Sequence, residues 1–399
     1  MLKQAVAAQL PIVAVRTRDL INLGNVIYAV TGKKPLPWAP NTVIAEGKLY
    51  LHIITSQADT KVNWPALYNK LVEAESTLLV VNLPQVPETL FDAGEIPVPR
   101  SLMTAFLKEV TDSAGKAEEL LRGLGGCTIK EAIELVRLTM ARDQSLTLNG
   151  LMDTRKSAFQ ASAGLTQVDA RQEVYEPHAA LATWLKREAP FFLGGDDYRL
   201  RPRGLMFDGP PGTGKTAGAK WVAHTLGVPL YRVDIGGTKN KYVGSSEQNM
   251  LANLARLDAE EPCVALIDEV EKVFGQKEYD SGTTTTMLSQ LLWWLAEHQS
   301  RVLTIMTTNN SKILPPELYR EGRIDDVMWF EGLSAEDALP FIRAVLKTYK
   351  ADPEQAMQVK HMIWKKLTGG DKTVSQAAIT KAVVTFVKAN KPKLLSQVG

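Results

Sequence analysis

Between residues 209 and 216 the chain reads GPPGTGKT. Gly209, Gly212 and Gly214 let a backbone turn tightly and approach an anion, and Lys215 and Thr216 follow at once. With that spacing, successive N–H groups and the start of a helix face a chain of phosphates. Lys215 is expected to reach the β- and γ-phosphates, and the Thr216 hydroxyl to bind Mg2+. The expected cradle is Gly209, Pro210, Pro211, Gly212, Thr213, Gly214, Lys215 and Thr216, with Ala217 opening the helix behind it. A second set of reactive groups closes the apolar run CVALIDE, residues 263–269. A buried strand there would deliver Asp268 and Glu269 to its carboxyl end, where ligands bind in open α/β sheets. Asp268 then belongs to the Mg2+ shell, and Glu269 is the base that polarises an attacking water.

These groups need a scaffold of strands and helices in alternation. RGLMFDG (203–209), PLYRVDI (229–235), CVALIDE (263–269), RVLTIMTTN (301–309) and DVMWF (326–330) read as strands, with helices from Lys215, near 246–258 and near 284–298. That alternation predicts a parallel sheet covered on both faces. Three helical patterns follow, near 334–348, 353–367 and 373–389. Upstream, PIVAVRT (11–17), LYLHIIT (49–55) and STLLVVNL (76–83) are expected strands, followed by a proline-rich connector over 83–100. Helices are expected near 100–111, 115–124, 128–142 and 147–160, the third with a capping box of Thr128 and Glu131. Residues 162–177 read as a linker.

Composition excludes several classes. The apolar fraction of 45% and charged fraction of 23% are those of an ordinary globular protein. No apolar run reaches the ~18 residues of a membrane span, and the amino-terminal stretch, soon interrupted by Arg16, Arg18 and Asp19, reads as structure rather than a signal peptide. Net charge is +2, and residues 1–170 carry as many acidic as basic side chains, so charge does not indicate a nucleic-acid partner. The two cysteines, Cys127 and Cys263, show no metal-ligand spacing and fit a reducing, cytoplasmic setting.

Together these motifs resemble the AAA+ ATPases, within the AAA clade. GPPGTGKT is that clade's Walker A loop and LIDEVEK (266–272) resembles its Walker B strand. TTNNSKILPPELYREGRIDD (307–326) resembles its second region of homology. The resemblance implies ATP and Mg2+ as cofactors, ATP hydrolysis, and Asn309 as the sensor that orients the lytic water. It also implies that Arg320 and Arg323 are arginine fingers, which act on a neighbour's nucleotide and so demand a homo-oligomer, by family habit a hexamer. Ser375 and Gln376 stand where the clade's sensor-2 Ser and Gly would be, and no Gly pair occupies 168–175, where an adenine-side box is usual. The resemblance implies an AAA+ P-loop NTPase fold over 200–332 with a helical lid over 333–399. Ahead of it come a linker and helix over 166–199 and a mixed α/β domain without a P-loop over 1–165. That first domain resembles a degenerate AAA-like module, with an unrelated adaptor as the alternative. The two-part plan is similar to single-ring AAA ATPases of cyanobacteria and plastids.

KYVG (241–244) resembles the first pore loop of protein-translocating AAA rings. There Tyr242, with Lys241 and Val243, would grip an extended polypeptide through an apolar ring face. FGQKEYDSGTTTT (274–286) stands where a second channel loop is expected, with Lys277 and Tyr279 as its candidates. The leading expectation is a ring that threads or remodels protein substrates. The alternatives are a nucleic-acid motor or loader and a nucleotide-gated scaffold. No helix-turn-helix or zinc signature supports the former, and an intact Glu269, Asn309 and arginine pair argues for turnover against the latter.

Overall fold

The computed structural model describes residues 1–96, 98–111, 113–158, 164–171, 174–194, 197–235, 245–275, 282–320, 322–365 and 373–390. The chain divides into two compact units, Met1–Leu151 and Met152–Gly399.

In the first unit, strands β1 (Ile12–Arg16), β2 (Leu36–Pro37), β3 (Leu49–Ile53), β4 (Thr77–Val81) and β5 (Phe91–Glu95) form one sheet in the order β2-β3-β4-β1-β5. Every pairing is parallel. β4, TLLVV, is buried along its whole length because both faces of the sheet are covered. Leu79 and Val81 join one core with Val13, Val15 and the helices that follow β5, while Leu78 and Val80 join the other with Ile12, Leu67 and Leu71. The helix Ile129–Asp143 starts with the expected capping box: Thr128 Oγ1 accepts from the Glu131 N–H, and Glu131 accepts from the Thr128 N–H.

The second unit continues with β6 (Leu165–Val168), β7 (Gly204–Asp208), β8 (Leu230–Val233), β9 (Cys263–Ile267), β10 (Val302–Thr308) and β11 (Asp326–Trp329). The order is β11-β7-β10-β9-β8-β6. The first five are mutually parallel, and β6 caps the edge antiparallel to β8. β7, β9 and β10 are buried throughout, as the expected parallel, doubly covered sheet requires. A separate apolar core holds the lid helices Ala338–Thr348, Ala356–Lys365 and Gln376–Asn390, joined by the short pair β12 (Leu333–Ser334) and β13 (Thr373–Val374).

Three elements correct the sequence reading. The expected connector at 83–100 holds β5, the expected linker at 162–177 holds β6, and β2 has no counterpart in that reading. β5 reads FDAGE and contains no buried residue, because it is an edge strand. β2 is two residues long and exposed. Edge strands bury one side at most, so the all-apolar run that marks the central strands is missing.

Candidate active site

The site is built at the carboxyl ends of β7, β9 and β10. After Asp208 the chain turns through Gly209, whose φ of 150° and distance of 2.0 Å from an added Cβ to the Phe330 carbonyl oxygen leave room for glycine alone. Gly214, at φ 96°, opens the helix Lys215–Leu226. The Lys215 ammonium is buried beneath the loop and donates to the carbonyls of Gly209 (2.6 Å) and Pro210 (2.9 Å) and to Asn309 Oδ1 (2.9 Å). Burial pushes its pKa down, against the pull of Glu271, Asp208, Asp268 and Glu269. All three ammonium protons are thus held on oxygen acceptors where a triphosphate would supply its own.

Asp268 is fixed from two sides. Its Oδ1 accepts from Thr216 Oγ1 at 3.1 Å and from Thr307 Oγ1 at 2.6 Å. Thr307 in turn accepts the Glu269 N–H at 2.9 Å. That bond holds Glu269 at φ 54°, a left-handed conformation that costs a non-glycine residue about 1–3 kcal/mol. The Glu269 carboxylate is paired with Lys272, at one end of the short helix Glu271–Phe274. Asn309, at the end of β10, donates from Nδ2 to Glu271 Oε1 at 2.7 Å. Thr216 and Asp268 offer a hydroxyl and a carboxylate side by side. This hard-oxygen pair fits Mg2+, a cation that fills the rest of its shell with water and phosphate oxygens.

The opposite wall comes from the lid and from the segment before the helix Ala179–Gly194. The Ala377 N–H donates to the Gly212 carbonyl at 3.2 Å, seating the lid helix on the loop. Ser375 caps that helix through the Ala378 N–H, at 3.3 Å. Gln376 is buried and donates from Nε2 to the Glu176 carbonyl at 3.0 Å. The Tyr175 ring lies against Gly214, and its buried hydroxyl has no partner among the described residues. Burial pushes that phenol's pKa up, reinforced by Glu176. The resulting cleft, about 510 Å³, runs from Glu269 and Asn309 past Thr216 and Ala217 to Val174, Phe341, Gln376 and Thr380.

The structure therefore brings Lys215, Thr216, Asp268, Glu269, Asn309 and Gln376 around one cleft. Ser375 stands behind the wall, within contact of Gly212. Arg320 and Arg323 do not line the cleft of their own chain: Arg320 is exposed, and Arg323 donates to the Glu317 carbonyl at 2.7 Å. Lys241, Tyr242 and Val243, and likewise Lys277 and Tyr279, lie outside the described residues. Thr307, Glu271, Lys272 and Tyr175 are site residues that the sequence reading passed over. The third acid of DEVEK was the visible signal for Glu271, whereas a threonine inside an apolar strand carries none.

Comparison with known proteins agrees with this geometry. Residues 205–332 match the family described as "ATPase family associated with various cellular activities (AAA)". The uncharacterized AAA domain-containing protein ycf46 of Guillardia theta is 38% identical over 157 residues, 38% of this chain and 31% of that protein. The ycf46 protein of Trieres chinensis is 29% identical over 208 residues, 51% of this chain and 41% of its own. The peroxisomal ATPase PEX6 of Homo sapiens is 34% identical over 180 residues, 43% of this chain and 18% of its own. The matched segment thus spans less than half of each relative. Among the described residues no helix is long and apolar enough to cross a membrane. A glycine loop cradling Lys215 at the end of β7, the Asp268–Glu269 pair at the end of β9, and the family match over the same strands have one meaning: residues 205–332 are an AAA ATPase domain.

Proposed function

We propose that the protein hydrolyses ATP in a homo-oligomeric ring, by family habit a hexamer, and couples that turnover to threading or remodelling a protein substrate. The observation that carries the catalytic part is the convergence of Lys215, Thr216, Asp268, Glu269 and Asn309 on one cleft. Phosphate oxygens would take over the Lys215 protons now held by Gly209, Pro210 and Asn309. Thr216 and Asp268 would hold Mg2+, which neutralises charge on the phosphates when bound. Glu269, released from Lys272, would take the proton of the attacking water. Arg320 and Arg323, which do not line the cleft of their own chain, suit a role on the nucleotide of a neighbouring copy.

The threading part rests on the KYVG segment, with Lys241, Tyr242 and Val243 as the gripping element between β8 and the helix Ser245–Ala259. The similarity to PEX6, a peroxisomal ATPase, supports turnover in this domain. For the first unit we propose an AAA-like module without a nucleotide site. Its support is a strand order that reads fifth-first-fourth-third-second, as in the parallel strands of the second unit.

The test is a pair of variants. Glu269→Gln is expected to keep ATP binding and lower kcat about 10²–10⁴-fold. Tyr242→Ala is expected to keep hydrolysis and lose remodelling of an unfolded protein substrate. Remodelling undiminished in Tyr242→Ala removes the threading reading, and hydrolysis undiminished in Glu269→Gln removes the catalytic one. DNA-stimulated turnover that falls steeply with salt would instead favour a nucleic-acid motor.

A further inference from the structure

Between the ammonium of Lys215 and the carboxylate of Glu271 the Asn309 amide has one possible orientation. An ammonium only donates and an ionised carboxylate only accepts, so Oδ1 must face Lys215 and Nδ2 must face Glu271. Glu271 Oε1 also receives the Asn309 backbone N–H at 3.3 Å, gripping main chain and side chain of one residue. Its other oxygen, Oε2, is buried with no hydrogen-bond partner among the described residues. A carboxylate oxygen left unsatisfied in this way is costly to retain and calls for a purpose.

We propose that Glu271 is a positioning residue for ATP hydrolysis. It fixes the Asn309 amide so that an acceptor, Oδ1, always faces the phosphate end of the cleft. When phosphate oxygens draw Lys215 away, Oδ1 loses its donor while Nδ2 stays tethered to Glu271. The freed acceptor takes a hydrogen bond from the attacking water and turns a lone pair of that water toward phosphorus. The water oxygen then bonds to the γ-phosphorus as the bond from that phosphorus to the β–γ bridging oxygen breaks. The bridging electron pair leaves with ADP, and the water's proton goes to Glu269. An untethered Asn309 could instead turn Nδ2 to the water, where a donor opposes the attack. The inference rests on the ATPase reading above and adds to it a residue that touches neither nucleotide nor water.

The experiment is a double-mutant cycle under single turnover, with affinity for a fluorescent ATP analogue measured alongside. Glu271→Ala is expected to lower kcat about ten- to hundredfold with affinity nearly unchanged. Glu271→Gln keeps an acceptor oxygen and should stay within about threefold of wild type. In an Asn309→Ala background, Glu271→Ala should cost less than about twofold more, because its only target is gone. A full Glu271→Ala loss persisting in that background overturns the proposal. So does a Glu271→Gln variant as impaired as Glu271→Ala. The Asn309 side-chain amide resonance of the nucleotide-free protein gives a readout independent of turnover. It should move in Glu271→Ala and hold in Glu271→Gln; an unmoved resonance in Glu271→Ala overturns the tether even if wild type hydrolyses nothing.

Discussion

The five parallel strands of each sheet follow one order, and the turn after the first of them is built differently in the two units. In both units the first parallel strand lies between the fifth and the fourth, and a six-residue connector leads from it into a helix: 17–22 before Leu23, and 209–214 before Lys215. In the second unit that connector is a glycine loop around a lysine. In the first it is TRDLIN, and the Asp19 carboxylate is folded back onto it. Asp19 Oδ1 accepts the N–H groups of Ile21 (3.1 Å) and Asn22 (3.0 Å), and Oδ2 accepts that of Lys130 (3.0 Å), in the first turn of the helix Ile129–Asp143. Amides at the same place in the topology thus take a carboxylate of the chain itself in one unit and lie open to a ligand in the other. The same physics, N–H groups at a helix start seeking negative charge, gives a permanent internal bond in one case and a nucleotide cleft in the other.

The sharpest way to break this comparison is to count nucleotides. One ATP per chain is expected by calorimetry, and Lys215→Ala should weaken it about 10–100-fold through loss of a charge-assisted bond. A second bound ATP that survives Lys215→Ala would put a nucleotide in the first unit and end the contrast. Next in size, Asp19→Ala strands three backbone donors. It should destabilise the first unit by about 2–4 kcal/mol in urea denaturation and leave ATP affinity unaltered.

A smaller effect follows from acidity. Burial pushes the Asp19 pKa up, but the hydrogen bonds from Asn22, Lys130 and Ile21 outweigh it and hold the pKa below its ordinary 3.8. A depressed folded value means that the carboxylate's contribution is present above that ordinary value and is lost as pH falls through the lowered one. The stability gap between wild type and Asp19→Asn should therefore be widest near neutrality and close in acid, as followed by melting at stepped pH. The smallest expected change is in Thr128→Ala, which removes the neighbouring cap of the same helix for about 1 kcal/mol. Comparing its urea midpoint with that of Asp19→Ala separates an ordinary cap from the bond that spans the unit.

Legibility in the sequence followed burial and locality. β4 and β9 announced themselves because strands covered on both faces must be apolar throughout. β5 and β6 were hidden inside an expected connector and an expected linker, since an edge position leaves FDAGE free to be polar and LTQV to alternate. The phosphate loop stood out because the glycines that shape it, Lys215 and Thr216 lie side by side in the chain, although Asn309, Asp268 and Ala377, which contact it, come from far away. Glu271 was visible only as one more acid, and Asp19 only as a charge interrupting an apolar start. In each case the partner that explains the residue lies far along the sequence.

By itself, the order of residues determined what a few adjacent positions can do: turn around an anion, hold out an ammonium, end a buried strand in two acids. Folding decided which of those pieces meet. Asn309 comes to Lys215 across 94 residues, Asp19 to Lys130 across 111, and Gln376 to Glu176 across 200. No spacing rule reaches that far. These encounters depend on a permuted strand order that only the joint packing of both sheet faces selects.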